Sequence, residues 1–285
     1  MEQIDLAAWA RQSEQSTERS FRQAVHTLML AISQADDLQA RMIFHGGLLL
    51  AIRFQGIRHT KDIDFVTSEH RKDFDVDKFV NSLNEALALA GESLPYGLGC
   101  RIQSNRIKPP GDNRNFQTLK MNMGYAYKES REHRRLMKDG CPTMIDIDYS
   151  FNEFNEKIDT LQLVDGGKIN VYSLPDLAAE KYRAMLQQKT RKRQRRQDAF
   201  DIFHLLTRGY LEGLGVKILI YRSLLKKAAS RELVVSKDSL AEAEIINRSK
   251  YEYETLAQEI DGELPPFEEV YTAVRNYYES LPWGK

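Results

Sequence analysis

Apolar positions at the start of the chain recur at helical spacing. Leu6, Trp9, Phe21, Ala24, Leu28 and Ile32 are separated by polar residues, a pattern that gathers one face of an α-helix and predicts helices from Leu6 to about Gln39. RMIFHGG then reads as a short apolar strand ending in two glycines, and LLLAIRFQG as a short helix closed by Gly56 at its C′ position. KDIDFVT alternates with period two and predicts a strand. Residues 77–90, DKFVNSLNEALALA, place Phe79, Val80, Leu83, Ala86, Leu87 and Leu89 on a broad apolar face and predict a further helix.

From Gly91 to Tyr149 the texture changes to alternation and turn residues. CRIQSNRIK, FQTLKMNMGYAY and TMIDIDYSF predict three antiparallel strands, with PPGDNRN as the turn between the first two. The charged KESREHRRLMKDG predicts an exposed excursion before the third strand, with a substrate-facing flap as its other reading. VYSLPDLAAEKYRAMLQQ marks another change: Ser173 or Asp176 can cap a helix with Pro175 in its first turn. Helical periodicity then dominates to Lys285, one stretch being SLAEAEIINRSKYEYETLAQEI. The expected organisation is a mixed α/β (α+β) unit over residues 1–170, N-terminal helices included, and a helical unit over residues 171–285.

Composition narrows the function classes. The 285 residues carry 41 acids and 41 bases, so no net field draws the whole molecule to nucleic acid or membrane, and any such role needs local charge. No stretch approaches the roughly 18 unbroken apolar residues of a membrane span. The opening MEQIDLAAWARQSEQ is polar and acidic, unlike a secretory signal, so a soluble, cytoplasmic protein is expected. Cys100 and Cys141 lack metal-site spacing and disulfide density, and are read as free thiols in a reducing compartment.

The chemistry concentrates in repeated carboxylates. In DIDF, Asp62 and Asp64 share one strand face while Ile63 and Phe65 take the other. Alone, such a pair is more often the polar face of an edge strand. MIDIDYS repeats the arrangement with Asp146 and Asp148, and if the strands are neighbours, three or four acids converge. Their mutual repulsion calls for a hard cation such as Mg²⁺, which leaves positions for substrate phosphates. Gly46 and Gly47, 15 residues ahead of Asp62, lead from strand into helix and offer backbone N–H groups to a phosphate.

Together HGGLLLAIRF and R-x-T-x-D-I-D-F across Arg58 to Phe65 resemble the opening signature of the nucleotidyltransferase superfamily, and specifically the AbiEii/AbiGii toxins of abortive-infection, type IV toxin–antitoxin systems. PDLAAEKYRAM with Lys181 and RRQDAFDIFHL with Asp198 and Asp201 are similar to that family's later motifs, in register from about residue 41 to 206. The resemblance implies a nucleotidyltransferase-like mixed sheet with flanking helices followed by a helical domain. It assigns Gly46 and Gly47 to the phosphate turn, Asp62 and Asp64 to the metal, Arg58 to a phosphate contact or a structural pair, Lys181 to the triphosphate, and Asp198 to the role of essential acid. The strand acid of the family aligns with Asp148, followed by Glu153; Asp146 is an additional acid, and either can be the third ligand or the base.

Bland readings stand beside these. Lys181 can be a solvated helix lysine, and Asp201 can serve a salt bridge, since Asp198 and Asp201 lie at i and i+3, able to share a cation or pair with Arg195. His45 and His204 are read as structural. The basic run Lys189, Arg191, Lys192, Arg193, Arg195 and Arg196 is either a solvated helix end or a landing site for triphosphate or RNA.

The implied activity is transfer of NMP from an NTP, with Mg²⁺ or Mn²⁺, to an acceptor hydroxyl, by resemblance that of RNA at the 3′ end of tRNA; a cognate antitoxin is expected. A small-molecule (aminoglycoside-type) nucleotidyltransferase and a non-catalytic RNA-binding module are the competing readings.

Overall fold

A computed structural model describes residues 2–111 and 114–284, so Asp112 and Asn113 of the predicted PPGDNRN turn lie outside the described residues. The chain divides into two compact units: Met1–Ile52, Lys61–Glu153 and Ile158–Val171 form one, and Arg53–Thr60, Phe154–Lys157 and Tyr172–Lys285 the other. No helix among the described residues is long and apolar enough to cross a membrane.

The first unit is built on one eight-stranded mixed sheet. Its strands are β1 (Gln3–Ile4), β2 (Ile43–His45), β3 (Ile63–Val66), β4 (Leu98–Lys108), β5 (Thr118–Tyr127), β6 (Met144–Ser150), β7 (Ile158–Leu163) and β8 (Lys168–Tyr172). They run in the order β1-β7-β8-β2-β3-β6-β5-β4. β3 and β6 are parallel neighbours, whereas β4, β5 and β6 form the predicted antiparallel series. Helices α1 (Leu6–Arg11), α2 (Ser16–Gln34), α3 (Asp36–Arg41), α4 (Gly46–Arg53), α5 (Val76–Ser93) and α6 (Arg131–Leu136) complete this part of the chain.

Alternation divides the sheet into an apolar face and a polar one. Phe44, Phe65, Tyr149 and Leu119 pair in register across β2, β3, β6 and β5 and are all buried. Phe79 of α5 stacks on Tyr149 with ring centroids 5.1 Å apart, and Phe74 and Phe151 add edge and tilted contacts. Each such aromatic pair contributes about 0.5–1.5 kcal/mol beyond its buried area. This packing fixes which face of β3 and β6 is left for their aspartates.

The second unit holds α7 (Leu174–Leu186), α8 (Gln188–Arg191), α9 (Arg196–Thr207), α10 (Leu214–Ala229), α11 (Ala243–Lys250) and α12 (Phe267–Glu279). Ser173 caps α7, accepting from the Asp176 N–H, with Pro175 in the first turn. Asp176 is buried and accepts from the Glu156 and Lys157 N–H groups and from the Ser173 and Ser223 hydroxyls. The aspartate of PDL thus ties residues 154–157 to α7 and α10.

Several local expectations are corrected. The left-handed residue after α4 is Gln55 (φ 52), not Gly56. The exposed excursion contains α6, held because Leu136 is buried with Ala126 and Cys141. SLAEAEIINRSKYEYETLAQEI is not one helix: Glu252 adopts a left-handed conformation between α11 and a 3₁₀ turn at Tyr253–Gln258. β1, β7 and β8 carried no predicted strand; β1 has only two residues, and its pairing to β7 is long-range.

Candidate active site

Residues paired across neighbouring strands share a face. Asp64 pairs with His45 on one side and Asp148 on the other, Asp148 pairs with Lys120, and Lys120 with Arg106. A single row therefore crosses five strands of the sheet: His45, Asp64, Asp148, Lys120, Arg106. Neighbouring strands are about 4.8 Å apart, whereas alternate residues along one strand are about 6.7 Å apart. The acid nearest Asp64 by register is Asp148, more than its sequence companion Asp62.

Gly46 brings the row to a helix start. The chain leaves β2 at His45 and enters α4 at Gly46, whose φ of +82° belongs to the left-handed region. A Cβ there would collide with Asp64 Oδ2 and lie 3.0 Å from the Asp64 Cβ and Cγ. Only glycine leaves room for the Asp64 carboxylate at this turn. Gly47 follows as the second residue of α4, where N–H groups have no intrahelical acceptor.

Asp148 is held by Lys120, whose ammonium donates to both carboxylate oxygens at 2.8 Å. Asn122 Nδ2 donates to Asp146 Oδ1 in the adjoining row, and Asp62 immediately precedes β3. No group of three or more His, Cys, Asp or Glu among the described residues is gathered as a metal centre. The donor chemistry nonetheless fits a hard cation: two in-register carboxylates, one of which already carries a cation in the form of the Lys120 ammonium. Two carboxylates completed by water and substrate phosphates are the ordinary magnesium set. Asp64 and Asp148 could hold it, with Asp62 or Asp146 alongside.

The helical unit contains a buried ionic quartet. Arg58 donates to Asp201 through Nε (3.0 Å) and Nη2 (2.9 Å), while Lys181 Nζ lies 2.6 Å from Asp201 Oδ2 and 3.2 Å from Asp198 Oδ1. Arg195 Nε stands 3.8 Å from Asp198 Oδ2. Asp198 and Asp201 share a cation as their i, i+3 spacing allowed, and Asp201 also carries Arg58. Burial alone would raise the Asp201 carboxyl; Arg58 and then Lys181 outweigh it and hold the group well below the usual carboxylate range. Burial disfavours charge on Lys181, but Asp201 and Asp198 more than offset this and raise it. His204 is buried near the Phe54 carbonyl, in keeping with a structural histidine.

Three members of the basic run face acids. Lys189 meets Glu242 (3.0 Å), Arg196 meets Glu259 (2.8 Å), and Arg195 flanks Asp198. Arg191, Lys192 and Arg193 are exposed, and Lys192 itself takes a left-handed conformation as it ends α8.

Sequence reasoning missed Lys120 and Asn122. The alternation in FQTLKMNMGYAY carried the signal, since an antiparallel partner of MIDIDYS must set two polar side chains opposite its two aspartates.

The family comparison gives the class, the nucleotidyltransferases: the model for the nucleotidyl transferase AbiEii toxin of type IV toxin–antitoxin systems matches residues 28–275. The chain belongs to this family. No curated protein matches the sequence. Among solved structures, it is similar to JHP933 from Helicobacter pylori at 14% identity, covering 91% of each chain with a TM-score of 0.49. It is also similar to MenT4, a nucleotidyltransferase toxin from Mycobacterium tuberculosis H37Rv, at 14% identity, 97% of each chain and a TM-score of 0.48.

Proposed function

We propose that this toxin transfers a nucleoside monophosphate from an NTP to an acceptor hydroxyl, using Mg²⁺ or Mn²⁺ at Asp64 and Asp148, and that the acceptor is RNA, at the 3′ end of tRNA. The observation that carries the metal site is the register of Asp64 with Asp148 beside the Gly46 turn. When bound, the divalent ion neutralises charge on the triphosphate and the departing pyrophosphate.

The chain's own groups do the rest. Gly46 and Gly47 offer backbone N–H groups to phosphate oxygens. Asp64 and Asp148 would hold the metal, with Asp62 in support from the strand's start. The acceptor hydroxyl loses its proton to a carboxylate of β6, Asp148 or Asp146, as its oxygen bonds to the α-phosphorus and the bond to pyrophosphate breaks. Positioning and charge neutralisation supply most of the acceleration in such a transfer. Family resemblance assigns Lys181 to the triphosphate and Asp198 to the essential acid. The exposed Arg191, Lys192 and Arg193 support an RNA acceptor over a small molecule, which needs no such patch. A cytoplasmic enzyme with a cognate antitoxin completes the reading.

The test presents purified protein with each α-labelled NTP, Mg²⁺, and either total tRNA or an aminoglycoside mixture. Label on tRNA, lost in Asp64→Asn and with EDTA, is the expected result. Label on the aminoglycoside alone would replace the acceptor, and no label on either would overturn the assignment.

A further inference from the structure

Lys120 stands at the centre of an unequal arrangement of charges. On one side its register partner is Asp148, which it holds through both oxygens at 2.8 Å; on the other it is Arg106, a like charge. Like charges directly opposite each other across strands repel. A like charge in register on the β4 side favours the Lys120 ammonium on the Asp148 side, and Asp148 is a carboxylate that the reading above requires for a divalent ion.

Both partners of this ion pair are partly exposed, Lys120 at 40% and Asp148 at 33% of their side chains. Such a pair is weak, open to water and quick to exchange. Lys also carries its charge on a flexible four-carbon stem, so its ammonium can leave one oxygen for another without backbone movement.

We propose that Lys120 is an exchangeable counter-ion for Asp148: it neutralises and orients the carboxylate before metal binds, gives it up to the divalent cation, and then joins Arg106 as a two-cation subsite for phosphate oxygens. Lys120 is thus a positioning residue in the first state and a phosphate ligand in the second. The inference rests on the assignment of Asp64 and Asp148 as metal ligands. It goes beyond that assignment in making metal and lysine competitors for one carboxylate.

The two roles give opposite signs for one substitution. Removing a unit positive charge at contact distance from Asp148 strengthens cation binding there, so Mn²⁺ followed by electron paramagnetic resonance binds Lys120→Gln about two- to fivefold more tightly than wild type. Lys120→Arg, which keeps the charge, binds Mn²⁺ no more tightly than wild type. Inorganic pyrophosphate, titrated into the Mn²⁺-loaded protein, binds several-fold more weakly to Lys120→Gln and to Arg106→Gln. Mn²⁺ affinity that is unchanged or weaker in Lys120→Gln would overturn the proposal and reduce the interaction to a surface ion pair. Asp148→Asn and Asp64→Asn separate the two levels: if neither weakens Mn²⁺ binding, the metal assignment itself fails, whereas weakening by both with no effect of Lys120→Gln refutes the exchange alone.

Discussion

The Asp64 carboxylate lies against the backbone of Gly46, at the point where β2 turns into α4, so that no other residue fits at position 46 without moving the acid. Gly46→Ala meets two obstacles, the φ of +82° and the collision with Asp64 Oδ2. A non-glycine residue strained in this way costs on the order of 1–3 kcal/mol. We expect Gly46→Ala to lower thermal stability and abolish nucleotidyl transfer. Gly97→Ala is the control: its φ is +61° but nothing lies within 4 Å of a Cβ there, so it should lose stability and keep activity. Full activity in Gly46→Ala would show that the position of Asp64 is unimportant.

The quartet of Arg58, Lys181, Asp198 and Asp201 predicts that alanine substitutions will mix folding with catalysis. Removing one partner of a buried ion pair leaves the other uncompensated, at about 3–5 kcal/mol. Lys181→Ala and Asp201→Ala should therefore lower the urea midpoint markedly. Asp198→Asn should cost less, because Asp201 still compensates Lys181 at 2.6 Å, yet still lose transfer if Asp198 is the essential acid. Denaturation curves beside activity assays separate the two. Asp198→Asn with full activity would confine the quartet to a structural role.

Acid should act on the same quartet. Asp201 is held below the usual carboxylate range in the folded protein, while in the unfolded chain it titrates near pH 3.9. Its contribution is present above about pH 4 and is lost as pH falls through the lower folded value. Wild type should exceed Asp201→Asn in stability at neutral pH, and the two should converge as pH falls below about 4. Urea midpoints between pH 5 and pH 2 that stay parallel would contradict the ion-pair account.

The basic run should divide by its acidic partners. Lys192→Ala with Arg193→Ala should weaken tRNA binding and flatten its salt dependence, by about 0.7 in log–log slope for each single-strand phosphate no longer neutralised. Lys189 and Arg196 are engaged by Glu242 and Glu259, so their double substitution should change the slope less. Equal effects of the two pairs would mean that their ion pairs open readily on RNA.

Much of the site was legible because period-two alternation survives folding. DIDF and MIDIDYS announced two strands with acids on one face, and the 98–150 region folded as the predicted antiparallel series. What alternation could not supply is register. Asp64 and Asp148 are far apart in the chain, and only the register of β3 with β6 sets them side by side. The contact of Arg58 with Asp201 spans 143 residues, beyond any local pattern, so the carboxylate that faces Arg58 could not be named from the sequence. β7 and β8 carry the same period-two signal, Leu161 and Leu163, then Ile169 and Val171, buried and alternating with polar residues on either side of the Gly166–Gly167 turn, although no strand was predicted there. Lys120 went unremarked although its strand was recognised, since its meaning depends on the acid facing it.

The most direct test of the central claim is pyrophosphate release from NTP and Mg²⁺ with tRNA as acceptor, measured for wild type and Asp64→Asn proteins of matched thermal stability. Loss of an essential metal ligand predicts a fall of at least about 10³-fold in the substituted protein. Release at an undiminished rate from Asp64→Asn would contradict the assignment of the Asp64–Asp148 row as the catalytic centre.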